Sequence, residues 1–172
     1  MAADDALSVA DRLEIMELLV RYTWSLDAHD ADAFAATFAP HGVWQPSTGT
    51  GGQGPAAIRV AFAARMGGQT RKLRHVSGAP IIEGTAERCL ARSVCQVVAE
   101  VPGGPCATTQ VAEYHDTCVK VDGHWLFERK LVKTVLDGTH LMSDDGDAAG
   151  KSGLLVMWPA CIDVVMPAGR PR

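Results

Sequence analysis

Two side chains that can transfer protons stand where the sequence pattern otherwise predicts apolar residues. Asp27 closes the first strong helical pattern, and His75 interrupts a strand-like segment, residues 73–77. Imidazole titrates near neutral pH, and a carboxylate on one ring nitrogen fixes its tautomer and stabilises its protonated form. Alone, each residue is more typical of a helix end or of a structural strand histidine. Our hypothesis is that the two meet inside a small cavity as a general acid/base dyad.

Two further residues extend this candidate site. Tyr22 lies five residues before Asp27, which is about 140° round an ideal helix. The two side chains therefore share a cavity only if the helix is buried over a wide arc. The Tyr22 hydroxyl would then hydrogen-bond a leaving oxygen or a carbonyl, whereas the alternative is an ordinary core tyrosine. Lys130 would stabilise negative charge if it points inward, but a solvated strand face explains it as well.

Aromatic and apolar side chains are predicted to form the walls of the cavity. We expect them to hold a mostly apolar ring system. For Trp44, an ordinary core position is an equally good interpretation. The predicted wall residues are Trp24, Trp44, Phe62 and Met66.

Three helices are predicted ahead of the strands. Ser8 and Asp11 have the spacing of a capping box, which starts the first helix. Residues 30–40 predict a second helix that ends at a proline, and residues 55–66 predict a third that opens on a proline. The buried stripe of the first helix is predicted from residues at helical spacing, namely Leu13, Met16, Val20 and Trp24 or Thr23. Burial over a wider arc is indicated by Ile15, Leu18, Leu19 and Leu26.

The later part of the chain has the pattern of strands. Asp122-Gly123 is a strong signal for a two-residue hairpin. Helices followed by long hairpin-linked strands predict an α+β domain, in which the helices pack on the concave face of a strongly curved antiparallel sheet. The predicted strands are residues 43–45, 73–82, 88–101, 108–121 and 125–136.

Size and composition exclude several classes of protein. A chain of 172 residues with 47% hydrophobic and 21% charged residues is typical of one globular domain. A net charge of −4 without a basic block argues against nucleic-acid or anionic-lipid partners. Apolar runs are too short to span a membrane, and the acidic N-terminus does not have the form of a secretory signal, so the cytoplasm is the expected location.

Cysteines and histidines do not have the spacing of a metal site. The five cysteines contain no C-x-x-C pair, and we expect them to be reduced. The six histidines form no H-x-x-x-H or H-E-x-x-H arrangement. We therefore expect neither a metal nor a cofactor.

Several of these segments resemble the SnoaL-like branch of the nuclear transport factor 2-like (NTF2-like) superfamily. The similarity covers roughly residues 8–136. It is carried by the order and spacing of Ala10-Asp11-Arg12-Leu13-Glu14-Ile15, Arg21-Tyr22, Leu26-Asp27, Asp30, Phe38-Ala39-Pro40, Val43-Trp44, Tyr114-His115-Asp116 and Asp122-Gly123-His124-Trp125-Leu126-Phe127.

The resemblance implies a cone-shaped, cystatin-like barrel of a curved mixed or antiparallel sheet with three N-terminal helices round one apolar cavity. Enzymes of this branch include scytalone dehydratase, bile acid 7α-dehydratase and hexachlorocyclohexane dehydrochlorinase. In these enzymes an aspartate near the end of the first helix orients a strand histidine that takes a proton. Asp27 and His75 match those positions, and this match is what favours their pairing as a dyad.

The resemblance also assigns supporting positions. Tyr22 matches a tyrosine of bile acid 7α-dehydratase. Trp44 matches a pocket tryptophan of the dehydrochlorinase, and Lys130 falls near that enzyme's active-site arginine. Cys95 falls near the second active-site histidine of scytalone dehydratase, so it is expected in the pocket, and a scytalone-type substrate is disfavoured. His41 also departs from the family, which usually carries an acidic residue there.

The predicted function is a cofactor-independent lyase, a dehydratase of a small cyclic or polycyclic hydroxylated substrate. One alternative is an isomerase or cyclase of a polyketide- or steroid-like substrate. Another is a non-catalytic small-molecule binder or a protein like the small subunit of an oxygenase. We expect a single domain over residues 1–172 that forms a dimer or trimer. The tail, residues 137–172, is expected to serve as a lid or a subunit contact.

Overall fold

Three helices and one mixed sheet make up the part of the chain that the structure, a computed structural model, describes, namely residues 6–68 and 72–138. The helices are α1 (Val9–Asp27), α2 (Ala31–Ala35) and α3 (Pro55–Met66). The strands are β1 (Phe38–Gln45), β2 (Gly52–Gln53), β3 (Leu73–Ser77), β4 (Ile81–Gly84), β5 (Arg88–Ala99), β6 (Ala107–Val121) and β7 (His124–Asp137). The predicted α+β class is confirmed.

The sheet has the order β2-β1-β7-β6-β5-β3, and β4 also pairs with β5. The long strands β5, β6 and β7 are joined as antiparallel hairpins, whereas β1 pairs with β7 in parallel. Asp122 and Gly123 both have positive φ, 50° and 83°, as the predicted hairpin turn requires. Register shifts in three of the strand pairs add the bends that let long strands curve round a cavity.

One face of the sheet carries the core. Residues of β5 alternate strictly between exposed and buried over most of the strand, as expected for a sheet with one covered face. The buried side chains meet the inner face of α1 and a cluster of aromatic rings. That cluster consists of Tyr22, Phe34, Phe38, Trp44, Phe62, Tyr114 and Phe127.

The start of α1 is tied to the hairpin of β6 and β7. Ser8 and Asp11 form the predicted capping box. The Asp11 carboxylate also accepts a hydrogen bond of 2.9 Å from the Trp125 indole and one from the Lys120 ammonium group. These bonds, the Lys120 bond first among them, hold the pKa of Asp11 well below its usual range. The carboxylate therefore links helix and sheet at the end opposite to Asp27.

The prediction of the buried stripe on α1 is wrong. Leu13 is 57% exposed and Val20 is 51% exposed, and Val9, Met16 and Trp24 share that outer face. The residues that are buried lie on the adjacent arc, which includes Tyr22; they are Ile15, Leu18, Leu19, Tyr22 and Leu26. Two apolar stripes run along this helix, and helical spacing alone does not say which one faces the sheet.

The predicted second helix is too long. α2 ends at Ala35, and the chain enters β1 at Phe38, so Pro40 lies in a strand. The Thr37 carbonyl accepts a hydrogen bond from the Phe127 backbone, which starts the parallel pairing with β7. Gly42 lies so close to that strand that a Cβ atom there would stand 2.6 Å from the Phe127 carbonyl oxygen.

Most of the tail lies outside the described residues, so its predicted role as lid or subunit contact stays a prediction. Among the residues that are described, no helix is both long and apolar enough to cross a membrane.

Candidate active site

A cavity of about 630 Å³ opens between α1, α3 and the concave face of the sheet. Its size falls within the range of small-molecule sites. Aromatic and aliphatic side chains form most of its wall, and several polar side chains complete it. It is lined by Tyr22, Leu26, Trp44, Pro46, Ser47, Thr48, Arg65, Met66, Leu73, His75, Val97, Ala99, Thr109, Gln110, Ala112, Tyr114, Val132 and Asp137.

The structure brings Asp27 and His75 into contact. Asp27 is the last residue of α1, and His75 is the middle residue of β3. The Nδ1 atom of His75 lies 2.6 Å from Oδ1 of Asp27, and the two side chains are 14% and 10% exposed. An ionised carboxylate only accepts hydrogen bonds, so Nδ1 carries the proton and Nε2 is left as the basic nitrogen.

The backbone adds a second link between these two residues. Among the strands that the structure describes, β3 pairs with β5 alone, so its other side is an edge within this part of the chain. The His75 backbone N–H donates to the Asp27 carboxylate at 3.1 and 3.3 Å. The Asp27 carboxylate therefore accepts hydrogen bonds from the backbone and from the imidazole of His75. These bonds explain how a carboxylate is retained at the end of a largely buried helix.

Tyr22 and Tyr114 face the same cavity as His75. Their ring centroids are 5.9 Å apart in an edge-to-face arrangement. Burial raises the pKa of both phenols, so both are neutral hydrogen-bond donors at neutral pH. The Trp44 indole nitrogen lies near the Tyr22 hydroxyl and lowers its pKa, although it meets no hydrogen-bond acceptor with good geometry.

Lys130 points inward but does not line the cavity. Its side chain is 0% exposed, and Nζ lies 2.7 Å from Oδ2 of Asp116. The ammonium group stands over the rings of Tyr22 and Tyr114, at 4.2 and 3.9 Å from their centroids. Lys130 therefore meets the condition of its predicted role, an inward side chain, but two tyrosines of the cavity wall lie over its ammonium group.

Trp24 is also misplaced by the sequence prediction. It is 74% exposed and lies on the outer face of α1. There it borders a surface groove beside the turn between β6 and β7, away from the cavity. Side chains a few positions apart on one helix can face either the cavity or the solvent. Trp24 was assigned to the cavity because it belongs to the stripe that was wrongly predicted to face the core.

Phe62 and Cys95 lie behind the wall of the cavity and do not form part of it. Phe62 is 0% exposed and stacks on Phe34 at 4.2 Å between ring centroids. Cys95 is 0% exposed, and burial raises the pKa of its thiol. Met66 and Trp44 do line the cavity, as predicted.

The sequence prediction missed Tyr114 and several polar side chains of the cavity wall. Tyr114 lies on the inner face of β6, and the alternation of that strand could have placed it there. Arg65 lies at the end of α3 and donates to the Thr48 carbonyl oxygen at 2.7 Å. This contact joins the loop after β1 to α3 across the mouth of the cavity. Within the described residues, no group of three or more His, Cys, Asp or Glu is placed to hold a metal ion.

A family model described as a SnoaL-like domain matches residues 7–130 of the chain. The chain belongs to the SnoaL-like family. This confirms the resemblance to the NTF2-like superfamily that the sequence segments indicated. Members of the SnoaL-like family bind small-molecule substrates and are often isomerases, cyclases or dehydratases. No curated protein matches the chain.

Several solved structures have the same fold. A protein of unknown function with a cystatin-like fold from Nostoc punctiforme is 30% identical, with a TM-score of 0.67 over 75% of this chain and 94% of that one. A candidate scytalone dehydratase from Novosphingobium aromaticivorans is 23% identical, with a TM-score of 0.63 over 74% and 86%. ActVI-ORFA from Streptomyces coelicolor is 19% identical, with a TM-score of 0.66 over 74% and 97%.

Proposed function

We propose that this SnoaL-like protein is a cofactor-independent lyase that removes water from a small cyclic or polycyclic hydroxylated substrate. The observation that carries the proposal is the 2.6 Å contact between Asp27 and His75 at the wall of the cavity. The similarity in fold to a candidate scytalone dehydratase agrees with this chemistry.

The reaction requires one base and one acid, and a single imidazole can serve as both. Nε2 of His75 accepts a proton from a substrate carbon, and the electron pair of that C–H bond forms the new C=C bond. The adjacent C–O bond breaks with its electron pair on oxygen, and the imidazolium returns the proton to that oxygen, so water leaves. Asp27 stabilises the imidazolium while it exists.

One imidazole predicts the stereochemistry of the reaction. Among the described residues that line the cavity, His75 is the only histidine. If it both takes the proton and protonates the leaving hydroxyl, the two groups must lie on the same face of the substrate. Tyr22, across the cavity wall, donates to a carbonyl that acidifies the C–H bond. We therefore expect syn elimination from a ring that carries both a hydroxyl and a carbonyl group.

Isomerisation or cyclisation is the second candidate function. It is favoured by the same feature, since an imidazole that returns its proton to another carbon needs no leaving group. Products formed in deuterated water separate the two reactions. A shifted double bond with deuterium on carbon and no loss of water indicates an isomerase, whereas loss of water indicates the lyase.

The test uses a panel of β-hydroxy cyclic ketones, whose dehydration yields a conjugated enone with ultraviolet absorbance. We expect His75→Gln and Asp27→Asn each to reduce the rate by about 100-fold or more, because general acid/base catalysis contributes on that order. Arg74→Gln is the matched control, since Arg74 is the exposed neighbour of His75 on β3. Wild-type rates in both dyad variants, with unchanged folding, would overturn the catalytic role of the dyad, whereas no turnover of the panel by the wild-type protein would favour a non-catalytic binder.

A further inference from the structure

Asp116 and Lys130 are sealed inside the barrel behind the cavity. They are direct cross-strand neighbours on β6 and β7, and both side chains are 0% exposed. Oδ1 of Asp116 has no hydrogen-bond partner in the described part of the chain. Burying two charges carries a large desolvation cost, and apolar residues of similar volume often replace such pairs without loss of stability. A contribution to stability therefore does not by itself explain why this pair is buried here.

The contacts of the pair point to the cavity. Nζ of Lys130 lies 3.9 Å from the Tyr114 ring centroid, 4.2 Å from that of Tyr22 and 4.6 Å from that of Phe127. Two of these three rings line the cavity, and Lys130 does not. A cation over an aromatic face is attracted to the ring and draws its electron density. In a phenol, that polarisation makes the hydroxyl a stronger hydrogen-bond donor.

We propose that Lys130 and Asp116 are positioning residues, which hold Tyr22 and Tyr114 as paired, strengthened hydrogen-bond donors for an oxygen atom of the bound molecule. Lys130 supplies the positive charge behind the rings, and Asp116 fixes the ammonium group in place, although burial and, by itself, the charge of Asp116 raise the pKa of both phenols. The ligand class is a ring with a carbonyl or phenol oxygen that carries negative charge when the dyad has taken its proton. The part of this inference that concerns the reaction rests on the proposed function.

The geometry of the two rings is consistent with joint action. Tyr22 comes from α1 and Tyr114 from β6, so neither element alone sets their spacing. Their edge-to-face contact and the ammonium group that touches both faces fix the rings relative to each other. Lys130 therefore couples the helix and the sheet at the point where both tyrosines line the cavity, and there the Tyr114 hydroxyl also lies beside the Cys95 thiol.

The test measures the ionisation of a bound phenol. 4-Nitrophenol is the probe, because its phenolate absorbs visible light, and nitrobenzene is the matched ligand without a hydroxyl group. We expect bound 4-nitrophenol to ionise at lower pH than the free compound. Lys130→Met/Asp116→Leu, which replaces the pair by apolar residues, should shift that ionisation back by about half a pH unit or more, a roughly threefold loss of phenolate affinity.

Tyr114→Phe keeps the ring and removes only the hydroxyl, so it tests the donor directly. It should weaken phenolate binding about tenfold and change nitrobenzene binding by less than about twofold. Equal ionisation of the bound probe in wild type and in the Lys130/Asp116 double variant overturns the proposal. So does a Tyr114→Phe variant that binds both ligands as wild type does.

The failure of this inference can be told apart from the failure of the proposed function. In a His75→Gln background the dyad is absent, yet the tyrosines and Lys130 remain, so the shift in probe ionisation should persist. If the shift in the ionisation of bound 4-nitrophenol disappears in His75→Gln, the imidazole causes it, and the proposed role of Lys130 is overturned. Dehydratase activity that survives His75→Gln removes the dyad mechanism of the proposed function and leaves the phenolate measurement intact.

Discussion

Lys130 and Asp116 form an ion pair of 2.7 Å in which both side chains are 0% exposed. The pair lies beneath two tyrosines of the cavity wall and is separated from solvent by them. Removing one partner of such a pair leaves the other charge buried without compensation, and this is the costly change. The dependence of stability on pH then reveals which charge is left.

Lys130→Met should destabilise the protein by about 3–5 kcal/mol at pH 7. Burial raises the pKa of Asp116 even in the wild type, and loss of the ammonium group raises it further. A carboxyl group with a raised folded-state pKa is neutral in the native state at low pH. The variant should therefore lose most stability as pH rises above about 4, the range in which the unfolded carboxyl ionises.

Urea unfolding at several pH values measures this effect. The double variant Lys130→Met/Asp116→Leu is the control, and it should recover most of the lost free energy of unfolding at neutral pH. A penalty for Lys130→Met that is the same at pH 5 and pH 8 would contradict the assignment of the buried charge to Asp116.

Asp11 should show the opposite pH dependence. Hydrogen bonds from Lys120, Ser8 and Trp125 lower its pKa, so its contribution to stability is present above the unfolded pKa of about 4 and lost as pH falls below it. Asp11→Asn should cost about 1–2 kcal/mol at pH 7. It should also flatten the acid branch of the stability curve. Asp32→Asn, at an exposed carboxylate of α2, is the control and should change stability by less than about 0.5 kcal/mol.

The two apolar stripes of α1 should respond differently to substitution. Leu18 is fully buried, and Leu18→Ala should cost about 2–5 kcal/mol. Leu13 is 57% exposed, and Leu13→Ala should cost less than about 0.5 kcal/mol. Thermal or urea unfolding of the two variants makes a matched comparison. Equal losses would mean that the outer stripe is covered by another surface in solution.

Filling the cavity should abolish ligand binding without unfolding the protein. Ala112 is buried on the cavity wall, so Ala112→Phe places a ring inside the cavity. We expect the affinity for nitrobenzene to fall by about tenfold or more. Val94→Phe puts the same ring on an exposed position of β5 and serves as the control. Unchanged binding by Ala112→Phe would show that the ligand occupies another site.

Much of the fold follows from local sequence signals. The capping box at Ser8, the hairpin at Asp122-Gly123 and the long alternating strands each act within a few residues. Such signals depend on backbone geometry and can be recognised without tertiary information. The end of α2 was missed for a tertiary reason. Residues 38–40 extend because β7 offers them a strand partner, and only the fold brings that partner near.

Some residues of the candidate site were placed correctly from the sequence and others were not, also for physical reasons. Asp27 and His75 are brought together as predicted, because a helix end and a strand edge each require a polar partner. Trp24 was assigned to the wrong side because α1 carries apolar residues on two arcs. For Lys130 the sequence left an inward and a solvated position open, because its place depends on Asp116 and on two rings, and no sequence spacing encodes those contacts.

The hydrogen bonds from the His75 backbone to Asp27 make the two halves of the dyad separable. These bonds do not need the imidazole, so a chain with alanine at position 75 keeps its carboxylate anchored beside a space of imidazole size. A free imidazole molecule from solution can then occupy that space and donate a hydrogen bond to the Asp27 carboxylate. The backbone thus preserves a binding site for an added base. Addition of imidazole should restore activity to His75→Ala but not to a variant that also lacks Asp27.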